Sequence, residues 1–298
     1  MINVLFKTTL FCFFTLLFLT SSVRYSSAEI KVGVLAKRGP SRAMAQWAQT
    51  GNYLTDVLGE QVVIIPIKFT LIESMVKTGR IDFLFANSAF FVEMEKKYQA
   101  RAITTVINSL DNKPLDKFGG VIFTRKGSGI KKLEDIRGKR FMTVKFSSFG
   151  GGQMAWRLLL KNNIDPQKET AAFLEAGTHD LVVRAVESGR VDVGTVRTDT
   201  LERMQSEGKI QINEFHIIHP IADDFPFVRS TRLYPEWPMA AMAHTTTELS
   251  DRVAAALQKI QPDSPAARAA SIMGWTAPSD YSSVRDCLET IKYSIFVP

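Results

Sequence analysis

Several short stretches carry groups suited to holding an anion. Ser147-Ser148-Phe149-Gly150-Gly151 sets two hydroxyls ahead of glycines, where backbone amides can approach an oxyanion closely. Arg197-Thr198-Asp199 follows an apolar run, and a guanidinium at that depth needs either an anionic ligand or a carboxylate partner, for which Asp199 stands nearest. Thr178-His179-Asp180 offers an imidazole that either donates to a ligand or sits in a helix first turn. Asn87-Ser88 and the segment from Lys37 to Arg42 supply further donors. For Ser147, Ser148, Thr198 and Asp199 the competing role is capping of the helix that follows. The Lys-Ser/Thr pair of a nucleotide P-loop is missing after the glycines. Neither a Gly-x-Ser-x-Gly elbow nor a His-Glu-x-x-His pair occurs, and Cys287 has no histidine nearby in sequence. His216 and His219, three apart in a strand-like run, face opposite ways, which is poor metal geometry. The chemistry expected is reversible capture of a small anion, not catalysis, with no metal and no cofactor.

These stretches fall where strands give way to helices. Short β-branched runs are expected as strands at Ile30 to Leu35, Val62 to Ile67, Asp82 to Ala86, Ala102 to Ile107, Gly120 to Thr124, Phe141 to Val144, Ala171 to Leu174, Val191 to Val196 and Phe215 to Ile218. Helical periodicity fills most gaps, and a polar helix is expected over Ile130 to Arg140. Alternation of this kind predicts α/β units with mostly parallel sheets, in which ligands sit beyond the carboxyl ends of the strands and meet helix N-termini.

Laid on itself at an offset of 110 residues, the chain repeats: Val76-Lys-Thr-Gly-Arg-Ile-Asp82 falls on Val186-Glu-Ser-Gly-Arg-Val-Asp192. Asn87-Ser88 then falls on Arg197-Thr198, and Met94 on Met204. A helix-to-strand turn of this composition is common, but the order of elements around it is shared as well. Two similar α/β lobes are therefore expected. The first would span 29–118, the second 119–237, and 238–298 would return to the first. Crossovers are expected near Gly119-Gly120 and within Pro220 to Pro238, with helices at Glu248 to Ile260, Ala266 to Met273 and Ser283 to Ile291 on the return.

Ahead of this stands an N-terminus with Lys7, a Leu- and Phe-rich run from Thr8 to Thr20, and the small residues Ser26-Ser27-Ala28, which reads as a signal peptide over residues 1–28 cleaved before Glu29. The protein is expected to be periplasmic or secreted, with no membrane span after cleavage. Of two cysteines, Cys12 lies in this segment, so Cys287 is left without a disulfide partner and the core must hold the fold. Removing Lys7 and Arg24 lowers the formal charge from +7 to +5. That mild excess lacks the clustered, aromatic-interleaved basic patches of a nucleic-acid binder. It favours solubility and attraction for anions.

Ile130 to Arg140 and Val144 to Trp156 resemble the phosphate, phosphite and phosphonate-binding family of periplasmic proteins (PhnD-like). Gly177 to Met204, Tyr234-Pro-Glu-Trp-Pro238 and Trp275 to Leu288 look like the sensor half of tetrathionate-sensor-type histidine kinases. The resemblance implies a type II periplasmic binding protein fold whose two lobes hinge shut on an oxyanion. It also implies that Ser147, Ser148 and the Gly150-Gly151 amides hold that oxyanion, with Arg197 and Asp199 on the second-lobe wall. The partner it implies is an ABC transporter permease or, alternatively, a sensor kinase. Two features depart from phosphonate binders: Ser147-Ser148-Phe149 replaces a Ser-Thr-Ser type turn, and Arg197 adds a cation.

Overall fold

The computed structural model describes residues 29–110 and 113–297; the expected signal peptide lies outside them. The first β-α-β unit comprises β1 (Ile30–Leu35), α1 (Pro40–Leu58) and β2 (Val62–Ile67). Pro40 opens α1, where its missing N–H is no loss, and Gly59 at φ 70° closes it. Then follow α2 (Ile72–Lys77), β3 (Phe83–Phe85), α3 (Ser88–Tyr98), β4 (Arg101–Leu110) and β5 (Lys113–Leu115). From β6 (Lys117–Phe118) the chain passes to a second unit. This contains β7 (Gly120–Arg125), β8 (Arg140–Thr143), α4 (Met154–Lys161), α5 (Pro166–Glu169), β9 (Ala172–Glu175), α6 (His179–Glu187), β10 (Val193–Arg197), α7 (Thr200–Ser206) and β11 (Phe215–Ile218). The return strand β12 (Tyr234–Pro235) pairs antiparallel with β6. It leads to β13 (Pro238–Ala241), α8 (Thr247–Gln258), α9 (Pro265–Ala270), β14 (Ile272–Thr276) and α10 (Ser282–Thr290).

Two sheets result, ordered β14-β4-β13-β3-β1-β2 with β5 beside β4, and β11-β7-β10-β8-β9. Each is the core of one lobe of a type II periplasmic binding protein fold, joined by the two-stranded β6-β12 crossing. No helix among the described residues is long and apolar enough to cross a membrane.

The repeat seen in the sequence is a repeat of pairing. Ile30 lies opposite Val62 in the first sheet and Arg140 opposite Ala172 in the second, each pair displaced by the same 110 residues. Gly79 and Gly189 both take positive φ, 62° and 72°, in the turns before β3 and β10. Asp82 and Asp192 then do one job twice: each carboxylate accepts from a backbone N–H at the start of the neighbouring strand, Lys31 at 2.7 Å and Arg140 at 2.8 Å. The recurring Gly-Arg-hydrophobic-Asp is thus a strand-starting device. By the same offset, the Lys37-Arg38 turn of the first lobe corresponds to Ser147-Ser148 of the second.

Parallel pairing holds for β1-β2, β1-β3, β8-β9 and β8-β10, but β13, β14, β7 and β11 run antiparallel to their neighbours, so each sheet is mixed. The cause is the double crossover, which brings the returning strands into the first sheet from the opposite end. Two expected helices are corrected. Over Ile130 to Arg140 only a single 3-10 turn forms, Leu133–Ile136, because Asp135 accepts from the Lys131 and Lys132 N–H groups and Gly138 at φ 68° turns the chain away. The helix expected to reach Met273 stops at Ala270, where Ser271 at φ 56° breaks it and Ile272 enters β14.

Candidate functional site

Between the lobes lies a cavity of about 50 Å³. Its first-lobe wall comes from the turn after β1 (Lys37, Arg38), from Trp47 on α1, and from Phe85 and Asn108 at the ends of β3 and β4. The second lobe contributes His179 at the start of α6, Arg197 and Asp199 at the end of β10, and Arg203 on α7. Glu236 and Trp237, on the return crossover, close one end. The position follows from the topology: both sheets present the carboxyl ends of parallel strands to the same gap.

Arg197 is 4% exposed, and its charge is met by protein. Nη2 lies 2.5 Å from Glu236 Oε1 and Nη1 3.5 Å from Oε2; Nε donates to the Thr198 carbonyl at 3.2 Å and stands 3.5 Å from Asp199 Oδ1. Its guanidinium carbon sits 4.5 Å from the Phe118 ring centre. Glu236, 1% exposed, is therefore the main partner that sequence reasoning assigned to Asp199. Asp199 turns instead to Arg203, at 3.1 Å, and Asn108 Nδ2 spans both carboxylates, at 3.3 Å from Glu236 and 3.4 Å from Asp199. Burial opposes ionisation of Asp199, yet Arg197, Lys37 and Arg203 hold its carboxyl well below the usual range.

His179 is 3% exposed, and burial, with Lys37 and Arg197 adding repulsion, pushes its pKa down to about 3. The imidazole is neutral; Nδ1 accepts from the Arg197 backbone N–H at 3.4 Å, which leaves the proton on Nε2. Thr198 does not face the cavity: its hydroxyl accepts from Gly119 N–H at 3.1 Å while its own N–H donates to the Gly119 carbonyl at 2.9 Å, which ties β10 to the outgoing crossover. Nor does it cap α7. Asp199 occupies the cap position at φ 75° with its side chain committed to the arginines.

The Ser147 to Gly151 turn does not itself line the cavity but packs behind the lining residues Arg197 and His179. Phe149 is fully buried between Phe118 and Tyr234, with ring centres at 6.0 and 4.8 Å. Residues Phe149–Gln153 form a π-turn; Ser148 makes no side-chain cap, and Ser147 is half-buried. The glycines serve packing. A Cβ on Gly150 would stand 2.7 Å from Arg197 Cβ, and one on Gly151 would stand 2.5 Å from Val144 Cγ2 and 2.9 Å from His179 Cε1. Gly151→Ala should lower stability by about 1–3 kcal/mol, read as a fall in urea midpoint at unchanged slope. Asn87 caps α3, accepting from Ala89 and Phe90 N–H at 3.1 Å, and Ser88 donates to the Pro235 carbonyl at 2.8 Å; both are structural contacts.

Of the residues the sequence singled out, the structure thus brings Lys37, Arg38, His179, Arg197 and Asp199 to the cavity and leaves Ser147, Ser148, Gly150, Gly151, Thr198, Asn87 and Ser88 in supporting positions. Glu236, Asn108, Arg203, Trp47 and Trp237 were missed. Glu236 and Trp237 lie inside the quoted Tyr234 to Pro238 segment, where an acid flanked by aromatics was the available signal. Cys287 is buried, and its thiol is pushed up to about 12 by burial, so it is inert. Among the described residues no group of three or more His, Cys, Asp or Glu side chains is placed to hold a metal.

Comparison with known proteins agrees with the fold. At 28% identity over 263 residues, the chain is similar to the tetrathionate sensor histidine kinase TtrS of Salmonella typhimurium; the match covers 88% of this chain but 43% of the relative. In fold it is similar to a binding protein component of an ABC phosphonate transporter from Pseudomonas aeruginosa, with a TM-score of 0.74 at 16% identity, covering 89% of this chain and 86% of that one. PhnD1 from Prochlorococcus marinus, solved with methylphosphonate, gives a TM-score of 0.74 at 14% identity, covering 89% and 99%. Residues 32–282 match the family described as ABC transporter, phosphonate, periplasmic substrate-binding protein, and the chain belongs to that family.

Proposed function

We propose that this protein captures a small oxyanion, phosphonate- or phosphite-like or related, between its two lobes in the periplasm and delivers it to the permease of an ABC transporter. One observation carries the reading: a cavity enclosed by both lobes, lined by Lys37, Arg38, Arg197 and Arg203 against only Asp199 and Glu236 as acids. Ligand touching both walls favours the closed arrangement by its differential affinity. The hinge we assign to the β6-β12 crossing, with lobe limits at 29–118, 119–237 and 238–298. Family membership supports the periplasmic setting, and the relatives' phosphonate transporter and methylphosphonate descriptions support the ligand type.

A second reading is favoured by the tetrathionate-sensor likeness: the same cleft would serve as the ligand-sensing input of a two-component system, with a sensor kinase as partner. Thermal unfolding of the purified protein against phosphonates, phosphite, sulfonates and polythionates tests the common core of both. An anion at a hundred times its dissociation constant adds about 2.7 kcal/mol of stability. No shift with any of them would remove anion capture. Ligand-dependent copurification with a permease complex or with a histidine kinase then separates transport from sensing.

A further inference from the structure

Charge accounting inside the cleft singles out one residue. Arg38 is held by Asp180, at 2.7 Å, and by Glu207, at 2.9 Å. Arg197 is held by Glu236 and Arg203 by Asp199. Lys37 differs: among the described residues no carboxylate is in ion-pair contact with its ammonium, which instead sits 5.2 Å from the Trp237 ring centre. Burial, followed by repulsion from Arg197, pushes its pKa down to about 7, while Asp199 and Glu236 act from farther away to raise it. Three guanidinium groups are thus spent on protein carboxylates and one cation is not.

Apart from Gln46, Asn108, His179 and Thr200, the rest of the wall is apolar. Trp47, Phe85, Val106, Trp237 and Ile272 line it. Trp47 and Phe85 pack edge to face at 4.5 Å, and Phe85 and Trp237 pack tilted at 5.4 Å. The cavity, about 50 Å³, has room for roughly four water-sized groups at about 10–15 Å³ each. A dianion in this space would leave one charge buried without a counter-ion, which is costly in a low-dielectric site. A monoanion would be neutralised by Lys37, and a methyl or similar group attached to it would meet the aromatic wall.

Building on the anion-capture reading above, we propose that Lys37 is the anion acceptor of the cleft and that the ligand is a compact organic monoanion carrying an apolar end. The neutral His179, with its proton on Nε2, supplies an additional donor from the opposite lobe without adding charge.

Isothermal titration of the full chain with methanesulfonate, methylphosphonate and sulfate at pH 6 and pH 8 tests this. Methanesulfonate stays a monoanion throughout, methylphosphonate loses its second proton near neutrality, and sulfate is a dianion without an apolar end. The expected result is binding of methanesulfonate at least tenfold tighter than sulfate, with methylphosphonate weakening from pH 6 to pH 8 relative to methanesulfonate. Lys37→Met should weaken methanesulfonate at least tenfold while the protein still unfolds cooperatively, and Lys37→Arg should restore part of the loss. Sulfate or dianionic methylphosphonate binding as tightly as methanesulfonate would overturn the ligand class. Undiminished binding by Lys37→Met would overturn the acceptor. The ligand ranking is read on the unaltered protein and stands even if the variants fold poorly. Absence of binding by every anion would instead bring down the capture reading itself.

Discussion

Arg197→Ala is expected to cost about 3–5 kcal/mol of folding stability, measured by urea unfolding of the ligand-free protein. The guanidinium is 4% exposed and compensates Glu236, itself 1% exposed, at 2.5 Å. Without it, Glu236 retains only the Asn108 amide, at 3.3 Å, and the Trp237 backbone N–H, at 3.2 Å, with Asp199 and Glu236 left to share the Asn108 amide. Asp199 keeps Arg203, but Glu236 would be a buried carboxylate without a cation in contact, which is costly to keep ionised. Glu236→Gln on top of Arg197→Ala should recover part of the loss, because it removes the stranded charge. A loss below about 1 kcal/mol for Arg197→Ala would mean that water reaches the pair. The same variant separates two roles for this arginine. If it served only as a ligand contact, binding would vanish and the fold would be undisturbed, whereas a crossover brace loses stability with or without ligand.

That distinction marks where the sequence was legible. The α/β alternation, the two lobes and the offset-110 repeat could be read because each rests on local pattern: β-branched runs, glycines at positive φ before β3 and β10, and the aspartates that start the neighbouring strands. Strands β13 and β14 escaped notice for the same reason. Pro238-Met-Ala-Ala241 has no β-branched residue, and Ile272 to Thr276 continues straight from a helical segment. β13 is a strand because it fills the gap between β3 and β4, and β14 because it pairs along β4, both tertiary facts.

That Arg197, Asp199 and His179 would face the cavity was legible because strand-to-helix turns are where α/β sheets place ligands. Glu236 and Asn108 could not be found in that way: each stands at the cavity because the lobes meet at one particular angle. The Ser147 to Gly151 turn illustrates the converse. Hydroxyls followed by glycines are suited to an oxyanion, but the same glycines are demanded by the close approach of Arg197, Phe118 and Val144. Composition alone does not distinguish a backbone opened for a ligand from one opened for a neighbour.

Arg38→Ala should shift the protein toward an open form and weaken anion binding about tenfold, a penalty of about 1.4 kcal/mol on closure. Arg38 projects from the first-lobe turn and forms two parallel bonds to Asp180, Nε to Oδ1 and Nη2 to Oδ2, each at 2.7 Å. The same guanidinium reaches Glu207 at 3.0 and 2.9 Å, and Arg42 joins at the same carboxylate. Burial works against ionisation of Asp180, but the hydrogen bonds from Arg38 hold its carboxyl below the usual range. Exposed ion pairs contribute little, yet this one is bidentate and its arginine side chain is only 9% exposed, the geometry in which such pairs count. Removing it leaves Glu207 with Lys209 at 2.8 Å and Arg42, and leaves Asp180 with Lys209 at 3.5 Å, so the second lobe stays folded while its tie to the first is reduced to the Arg42–Glu207 pair. Small-angle scattering should show a larger radius of gyration for the ligand-free variant, and raised salt should move the unaltered protein the same way to a smaller extent. An unchanged radius with unchanged affinity would show that the clasp adds nothing to closure. Because Arg38 adjoins Lys37 on one turn, the residue that latches the lobes and the residue proposed to meet the anion move together. If Lys37 meets the anion as proposed, binding there would draw Arg38 toward Asp180 and Glu207 and couple capture to closure.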